Sequence, residues 1–139
     1  MTKRILLVCL GNICRSPAAE AALRHHAPHL TLDSAGTGAW HAGVPPDPRA
    51  QAEGARRGYS YSHHRARKVR STDFTDFDVI YAMDRQNVAD LYAIAPERKT
   101  ATISLFLDEA EVPDPYYDDS FAQMFDLIEA RAKELARIL

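Results

Sequence analysis

Cysteine is nearly absent from this chain, with only Cys9 and Cys14 in 139 residues. Two cysteines make no disulfide framework, and there is neither a C-x-x-C pair nor a zinc-like repeat of ligands. A reducing cytoplasm is therefore the expected compartment, and no metal is expected. Long apolar runs are missing too. The run near the start, Ile5 to Leu10, is six residues long, against the ~20 that a membrane span requires. Lys3 and Arg4 before it imitate a secretory leader, but Gly11, Asn12 and Arg15 follow at once and exclude that reading. No membrane partner is expected.

Net charge is close to balance, at −2, yet its distribution is uneven. No acid lies between Glu53 and Asp73, where Arg56, Arg57, Arg65, Arg67, Lys68 and Arg70 fall. Asp108, Glu109, Glu111, Asp114, Asp118 and Asp119 crowd the far end. Such blocks are either solvated faces or a field that gathers anions. The basic stretch has no nucleic-acid motif and no aromatic platform beyond Tyr59 and Tyr61, so nucleic acid is not an expected partner. One further absence removes a decoy. Gly36-Thr37-Gly38-Ala39-Trp40-His41 begins like a dinucleotide-binding G-x-G-x-x-G, but His41 replaces the third glycine and no strong helix follows.

What is present is an alternation. Ile5 to Val8 reads as a buried strand and Ala18 to Leu23 as a helix, with Ser16 as its cap and Pro17 at its first position. Leu30 to Ala35 reads as a second strand, and Arg49 to Arg57 as a helix stopped by Gly58. Tyr59 to Ser71 is irregular. Asp78 to Met83 is a third strand, followed by a helix from about Arg85 to Ile94, and Thr100 to Leu105 is a fourth strand. Val112-Pro113-Asp114-Pro115 must be loop. A last helix starts near Ser120, with Phe121, Met124, Phe125, Ile128, Leu135 and Leu139 on one stripe. The expected fold is α/β: one domain over residues 1–139, with a parallel sheet covered by helices on both faces. Ligands of such sheets lie outside the carboxyl ends of the strands. Cys9, Ser34, Asp84 and the loop after Leu105 all fall there.

The stretch from Cys9 to Pro17 joins the first strand to the first helix. Its backbone N–H groups and the helix end favour an anion above the strand. A thiol is a nucleophile only as thiolate, which a helix N-terminus and a neighbouring cation favour. This stretch supplies both around Cys9, with Arg15 as the cation. The guanidinium fork can grip two oxygens of a tetrahedral oxyanion where lysine would offer a point charge. Gly11 permits a turn that a Cβ would obstruct. By itself Cys9 reads first as a small buried hydrophobe; the C-x5-R spacing followed by Ser16 turns the reading toward a nucleophile.

The full string, C-L-G-N-I-C-R-S-P-x-A-E, resembles the phosphate-binding loop of the low-molecular-weight protein tyrosine phosphatases. D-S-A-G-T-G, A-M-D-R-Q-N and D-P-Y-Y-D-D-S-F extend the resemblance along the chain. It implies a flavodoxin-like, four-stranded parallel sheet flanked by helices, and hydrolysis of phosphotyrosine through a phosphocysteine intermediate without metal or cofactor. In those terms Cys9 is the nucleophile and Arg15 the phosphate clamp. Leu10, Gly11, Asn12, Ile13 and Cys14 complete the loop, and Asp114 is the general acid and then base. Ser16 resembles the hydroxyl that donates to the Cys9 thiolate, and Asn12 and Ser34 resemble residues that hold the loop's shape. His64 and Asp84 match a His–Asp pair behind the loop, with His63 the competing histidine.

Ile13, Trp40, Tyr116 and Tyr117 resemble walls around the phenyl ring. Cys14 resembles a second cysteine able to form a disulfide with Cys9; a packed, inert thiol is the other reading. Asp118 departs from the family, where glycine often follows the tyrosine pair, and aspartate tolerates the left-handed conformation such a glycine adopts. The implied partners are tyrosine-phosphorylated proteins, with a cognate tyrosine kinase as a candidate, and the implied state is a monomer or weak homodimer.

Three rivals share features of this pattern. A thioredoxin-coupled arsenate reductase resembles the loop, but its relay needs cysteines after Cys14 and there are none. Protein-arginine phosphatases of this scaffold carry threonine where Ile13 stands. A non-catalytic phosphotyrosine-binding module would lack Cys9, Arg15 or Asp114, and all three are present.

Overall fold

The computed structural model describes residues 2–139. The apolar run at the start becomes β1 (Arg4–Cys9), buried from Ile5 onward. It pairs in parallel with β2 (Thr31–Gly36) on one side and β3 (Val79–Ala82) on the other, and β4 (Thr102–Leu105) extends the sheet beyond β3. The strand order 2-1-3-4 is the opening of the flavodoxin-like order, so the expected flavodoxin-like fold is the one adopted.

Successive strand residues face opposite sides of a sheet, and β1 divides its residues accordingly. Ile5, Leu7 and Cys9 enter a core with α1 (Arg15–His26) and α5 (Phe121–Ile138), which also takes in Ala50 of α2 (Pro48–Arg56). Leu6 and Val8 enter a second core with Phe74 of α3 (Asp73–Asp76) and Leu91 of α4 (Arg85–Ile94). Helices thus cover both faces, and the parity of Cys9 puts its side chain on the α1 side. The α5 stripe forms as expected, with Ala132 joining it; Leu139 is only partly buried against that core. No helix among the described residues is long and apolar enough to cross a membrane.

Two helix boundaries differ from expectation, and one helix was not expected at all. Helix α1 starts at Arg15, not at Pro17, and no side chain caps it. Ser16 is already helical and its hydroxyl faces the Cys9 sulfur at 3.0 Å, so it serves the loop rather than the cap. Helix α2 starts at Pro48, with the Asp47 carboxylate accepting from the Arg49 N–H, and is followed by Gly58 at φ 92. The one-turn helix α3 was not readable from spacing. It forms around Asp73, a buried carboxylate that accepts from the Arg70 N–H and the Arg67 guanidinium.

Half of the six cations in the basic stretch are engaged in ion pairs. Arg56 and Arg57 pair with Glu53, Arg57 also with Asp126 and Glu129, and Arg67 with Asp33 and Asp73. These three residues brace the fold, while Arg65, Lys68 and Arg70 make no ion pair among the described residues.

Candidate active site

The loop after β1 has its carbonyls turned outward. Cys9 O accepts from the Thr37 N–H, Leu10 O from Gly38, Asn12 O from His64 Nε2, Ile13 O from Asp47 and Cys14 O from Ala18. Across a planar trans peptide the C=O and the following N–H point in opposite directions. Those bonds therefore turn the N–H groups of Gly11, Ile13, Cys14 and Arg15 toward the concave side, as an anion cradle needs.

Asn12 sets the curvature. It is fully buried and left-handed, at φ 57, a conformation Asn tolerates better than most residues. Every polar group it has is engaged. Its N–H donates to Cys9 Sγ at 3.2 Å and its carbonyl accepts from His64 Nε2 at 3.2 Å. Its amide nitrogen donates to Ser16 Oγ at 2.9 Å and Ser34 Oγ at 3.1 Å, while Oδ1 accepts from the Arg67 N–H at 3.0 Å. Ser34 in turn donates to Glu20 at 2.6 Å. Because Ser16 Oγ accepts from Asn12, its own proton is left to donate, with the sulfur 3.0 Å away and Ala35 O at 3.5 Å. The expected turn at Gly11 is thus made one residue later, since Gly11 does not have a positive φ.

Gly36 matters for a different reason. A Cβ there would lie 2.7 Å from Leu10 O and 3.2 Å from Asn12 N, so β2 can approach the loop only with glycine at its end. Gly36→Ala is expected to lower Tm, at a cost of about 1–3 kcal/mol, and to reduce kcat by about tenfold through the displaced loop. Unchanged Tm and kcat would refute that role.

Arg15 is 2% exposed and threads beneath the cradle. Its Nη1 donates to Asp84 at 2.7 Å and to Val112 O at 2.9 Å, and Nη2 lies 3.8 Å from Asp114 Oδ2. Burial pulls its pKa down, but Cys9, Asp84 and Asp114 more than offset this and the net shift is upward. Asp84 has two roles. Oδ1 accepts from the Asn87 N–H in a capping box on α4, and Oδ2 holds Arg15.

The expected His64–Asp84 pair is not formed. Asp84 braces Arg15, while His64 is held at Asn12 O, with Nδ1 3.9 Å from Glu20. The two support the loop separately, His64 at its middle and Asp84 at its C-terminal end. Both cysteines are free, and Cys14 is buried in the α1 core. Burial pushes the Cys14 thiol well up, with Asp47, Cys9 and Asp114 adding to the effect and Arg49 opposing it. Cys14 forms no disulfide in this structure, and it lines the same cleft as Cys9.

A cleft of about 310 Å³ opens over Cys9. Each loop residue from Cys9 to Arg15 except Asn12 lines it, as do Trp40, Asp114, Tyr116 and Tyr117. Asn12, Ser16, Ser34, His64 and Asp84 stand behind this surface as supports. Ile13 is buried, whereas Trp40 and Tyr117 are 75% and 90% exposed, so the walls are firm near the sulfur and open at the rim. His41 also lines the cleft, its ring 6.5 Å from that of Tyr116; in the sequence it was legible only as the residue that spoils a glycine motif. Asp118 is not the left-handed residue of the acid loop. That conformation falls on Asp119, at φ 59, while Asp118 accepts from the N–H and hydroxyl of Ser120.

Fold and loop together define a class: an α/β protein whose central strand ends in a thiol wrapped by an oxyanion cradle, with a buried guanidinium closing it. A family model described as low molecular weight phosphotyrosine protein phosphatase matches residues 4–139. The Bacillus subtilis low molecular weight protein-tyrosine-phosphatase YfkJ is 42% identical, with 94% of this chain and 92% of that one covered. The Schizosaccharomyces pombe low molecular weight phosphotyrosine protein phosphatase is 40% identical over 98% of this chain and 100% of its own. A crystal structure of protein tyrosine phosphatase from Entamoeba histolytica superposes with a TM-score of 0.88 at 40% identity, covering 96% of this chain and 94% of that one. The chain belongs to the low molecular weight protein-tyrosine phosphatase family, a family of hydrolases.

Proposed function

We propose that this protein hydrolyses phosphotyrosine in proteins through a phosphocysteine intermediate. The observation that carries the reading is convergence: Asp114, about a hundred residues away in sequence, lines one cleft with Cys9 and Arg15 of the phosphate loop. Residues 1–139 act as one phosphatase domain in this reading, and a cytoplasmic location suits the thiol chemistry. The Cys9 thiolate attacks phosphorus opposite the phenolate. An S–P bond forms as the P–O bond to the ring breaks, with the equatorial oxygens on the inward amides and Arg15. Asp114 acts as the acid that gives a proton to the departing phenolate. It then takes a proton from a water whose oxygen attacks phosphorus, the S–P bond breaks, and phosphate and the Cys9 thiolate are released. The chemistry draws on no metal.

Substrate choice follows from depth. Cys9 is only 3% exposed, and a phenyl ring between Ile13, Trp40 and Tyr116 spans the distance that the short phosphoserine side chain cannot. Peptides carrying phosphotyrosine, phosphoarginine and phosphoserine, assayed side by side in EDTA, test this. Phosphotyrosine is expected to lead by about a hundredfold in kcat/KM, with vanadate inhibitory. Equal or faster turnover of phosphoarginine would move the assignment to the arginine phosphatases, and loss of activity in EDTA would overturn the metal-free mechanism.

A further inference from the structure

Arg49 opens α2 and does not line the cleft, yet it ties the cleft's two halves together. Its Nε and Nη2 donate to the two oxygens of Asp47 at 3.1 and 2.9 Å. The N–H of Asp47 in turn holds Ile13 O of the phosphate loop at 2.9 Å. On its other side Arg49 Nη2 donates to Tyr116 O at 3.1 Å and Nη1 pairs with Asp119. Its guanidinium also lies over the rings of Tyr116 and Phe121, at 5.3 and 4.8 Å.

The segment that carries Asp114 is therefore gripped at two points. Val112 is fixed by Met83 and Arg15 on one side of Asp114, and the stretch from Tyr116 to Phe121 is fixed by Arg49 on the other. Asp114 itself accepts from the Tyr116 N–H at 3.1 Å, so any movement of Tyr116 reaches the carboxylate directly.

We propose that Arg49 is a positioning residue for Asp114: it clasps the acid loop to the phosphate loop and so sets where the proton is delivered. This rests on the reading of Asp114 as general acid. A bidentate guanidinium stacked on two rings is suited to such a clasp because it fixes direction as well as distance. Lysine would satisfy one anchor at a time.

The test uses two leaving groups. Phenyl phosphate needs a proton for its phenolate, whereas 2,4-dinitrophenyl phosphate does not. The value of kcat/KM covers steps up to the first bond cleavage and so reads proton delivery. Arg49→Met is expected to lower kcat/KM on phenyl phosphate by about tenfold and to leave 2,4-dinitrophenyl phosphate within about twofold. Arg49→Lys should restore part of the loss. Asp119→Asn, which removes one anchor and keeps the Asp47 pair, should show the same selectivity more weakly, even if Arg49→Met folds poorly.

Asp114→Asn should be selective and stronger, and adding Arg49→Met to it should cost nothing more on phenyl phosphate. Equal losses on both substrates for Arg49→Met and Asp119→Asn, or additive losses in the double variant, overturn the clasp while Asp114→Asn stays selective. Equal losses for Asp114→Asn overturn the acid assignment, and the clasp falls with it.

Discussion

Cys9→Ser is expected to eliminate turnover of aryl phosphates, with kcat falling by at least about ten-thousandfold, while the folded protein still binds phosphate. A hydroxyl needs a base to become a nucleophile, and the two groups hydrogen-bonded to Cys9 Sγ offer none. The Asn12 N–H donates to it at 3.2 Å, and the Ser16 hydroxyl lies 3.0 Å away with its oxygen already accepting from Asn12. Both groups stabilise a negative sulfur and neither can remove a proton from an oxygen. The cradle does not depend on sulfur, since its carbonyls are held by Thr37, Gly38, His64, Asp47 and Ala18. Phosphate titration followed by calorimetry should therefore give an affinity within about tenfold of the parent protein, beside a silent kinetic assay. Persistent turnover would remove Cys9 as the nucleophile. Silence accompanied by lost phosphate binding would mean that the loop had collapsed, and the kinetic result would then say nothing of the nucleophile.

The features legible in the sequence were those encoded locally. β1 announces itself as an apolar run and α5 as a stripe of helical period. The loop from Cys9 to Ser16 was legible because strand, thiol, spacing and guanidinium lie within one short stretch. What was misread depends on tertiary partners. Ser16 has the look of a helix cap in sequence, but the loop draws the helix start back to Arg15 and uses the hydroxyl elsewhere. The same holds for α3, whose single turn exists to present a buried carboxylate to Arg67.

Support residues were harder still, because their partners are remote. Asp84 and His64 both brace the loop, yet nothing in the chain says that one reaches Arg15 and the other Asn12 O. Glu20 closed the recognised string without a role attached to it, and Arg49 and Arg67 carried no local signal beyond charge. Arg67 stood in a basic block that invited a long-range electrostatic reading, while its backbone N–H holds the Asn12 amide and its guanidinium neutralises Asp33 and Asp73. Charge patterning shows where ionised groups lie along the chain. Whether they face solvent or one another is decided by the fold.

Arg15→Lys is the second substitution expected to be severe, with kcat/KM for aryl phosphates down by about a hundred- to a thousandfold. One planar group here serves several partners at once. Nη1 is committed to Asp84 and Val112 O, and Nη2 sits near Asp114, which leaves the cradle-facing edge for two equatorial oxygens. A lysine ammonium drawn to Asp84 would withdraw from the phosphate; one drawn to the phosphate would leave a carboxylate unpaired behind the loop. Either arrangement weakens the Michaelis complex and the transition state, so the affinity for vanadate should fall alongside kcat/KM. The net upward shift of the Arg15 pKa, set by Cys9, Asp84 and Asp114 against burial, keeps its charge constant across the assay range. The pH profile of the parent enzyme therefore reports other groups. If Arg15→Lys kept both its kcat/KM and its vanadate affinity, the bidentate grip would not be what holds the phosphoryl group, and the inward amides alone would have to carry that charge.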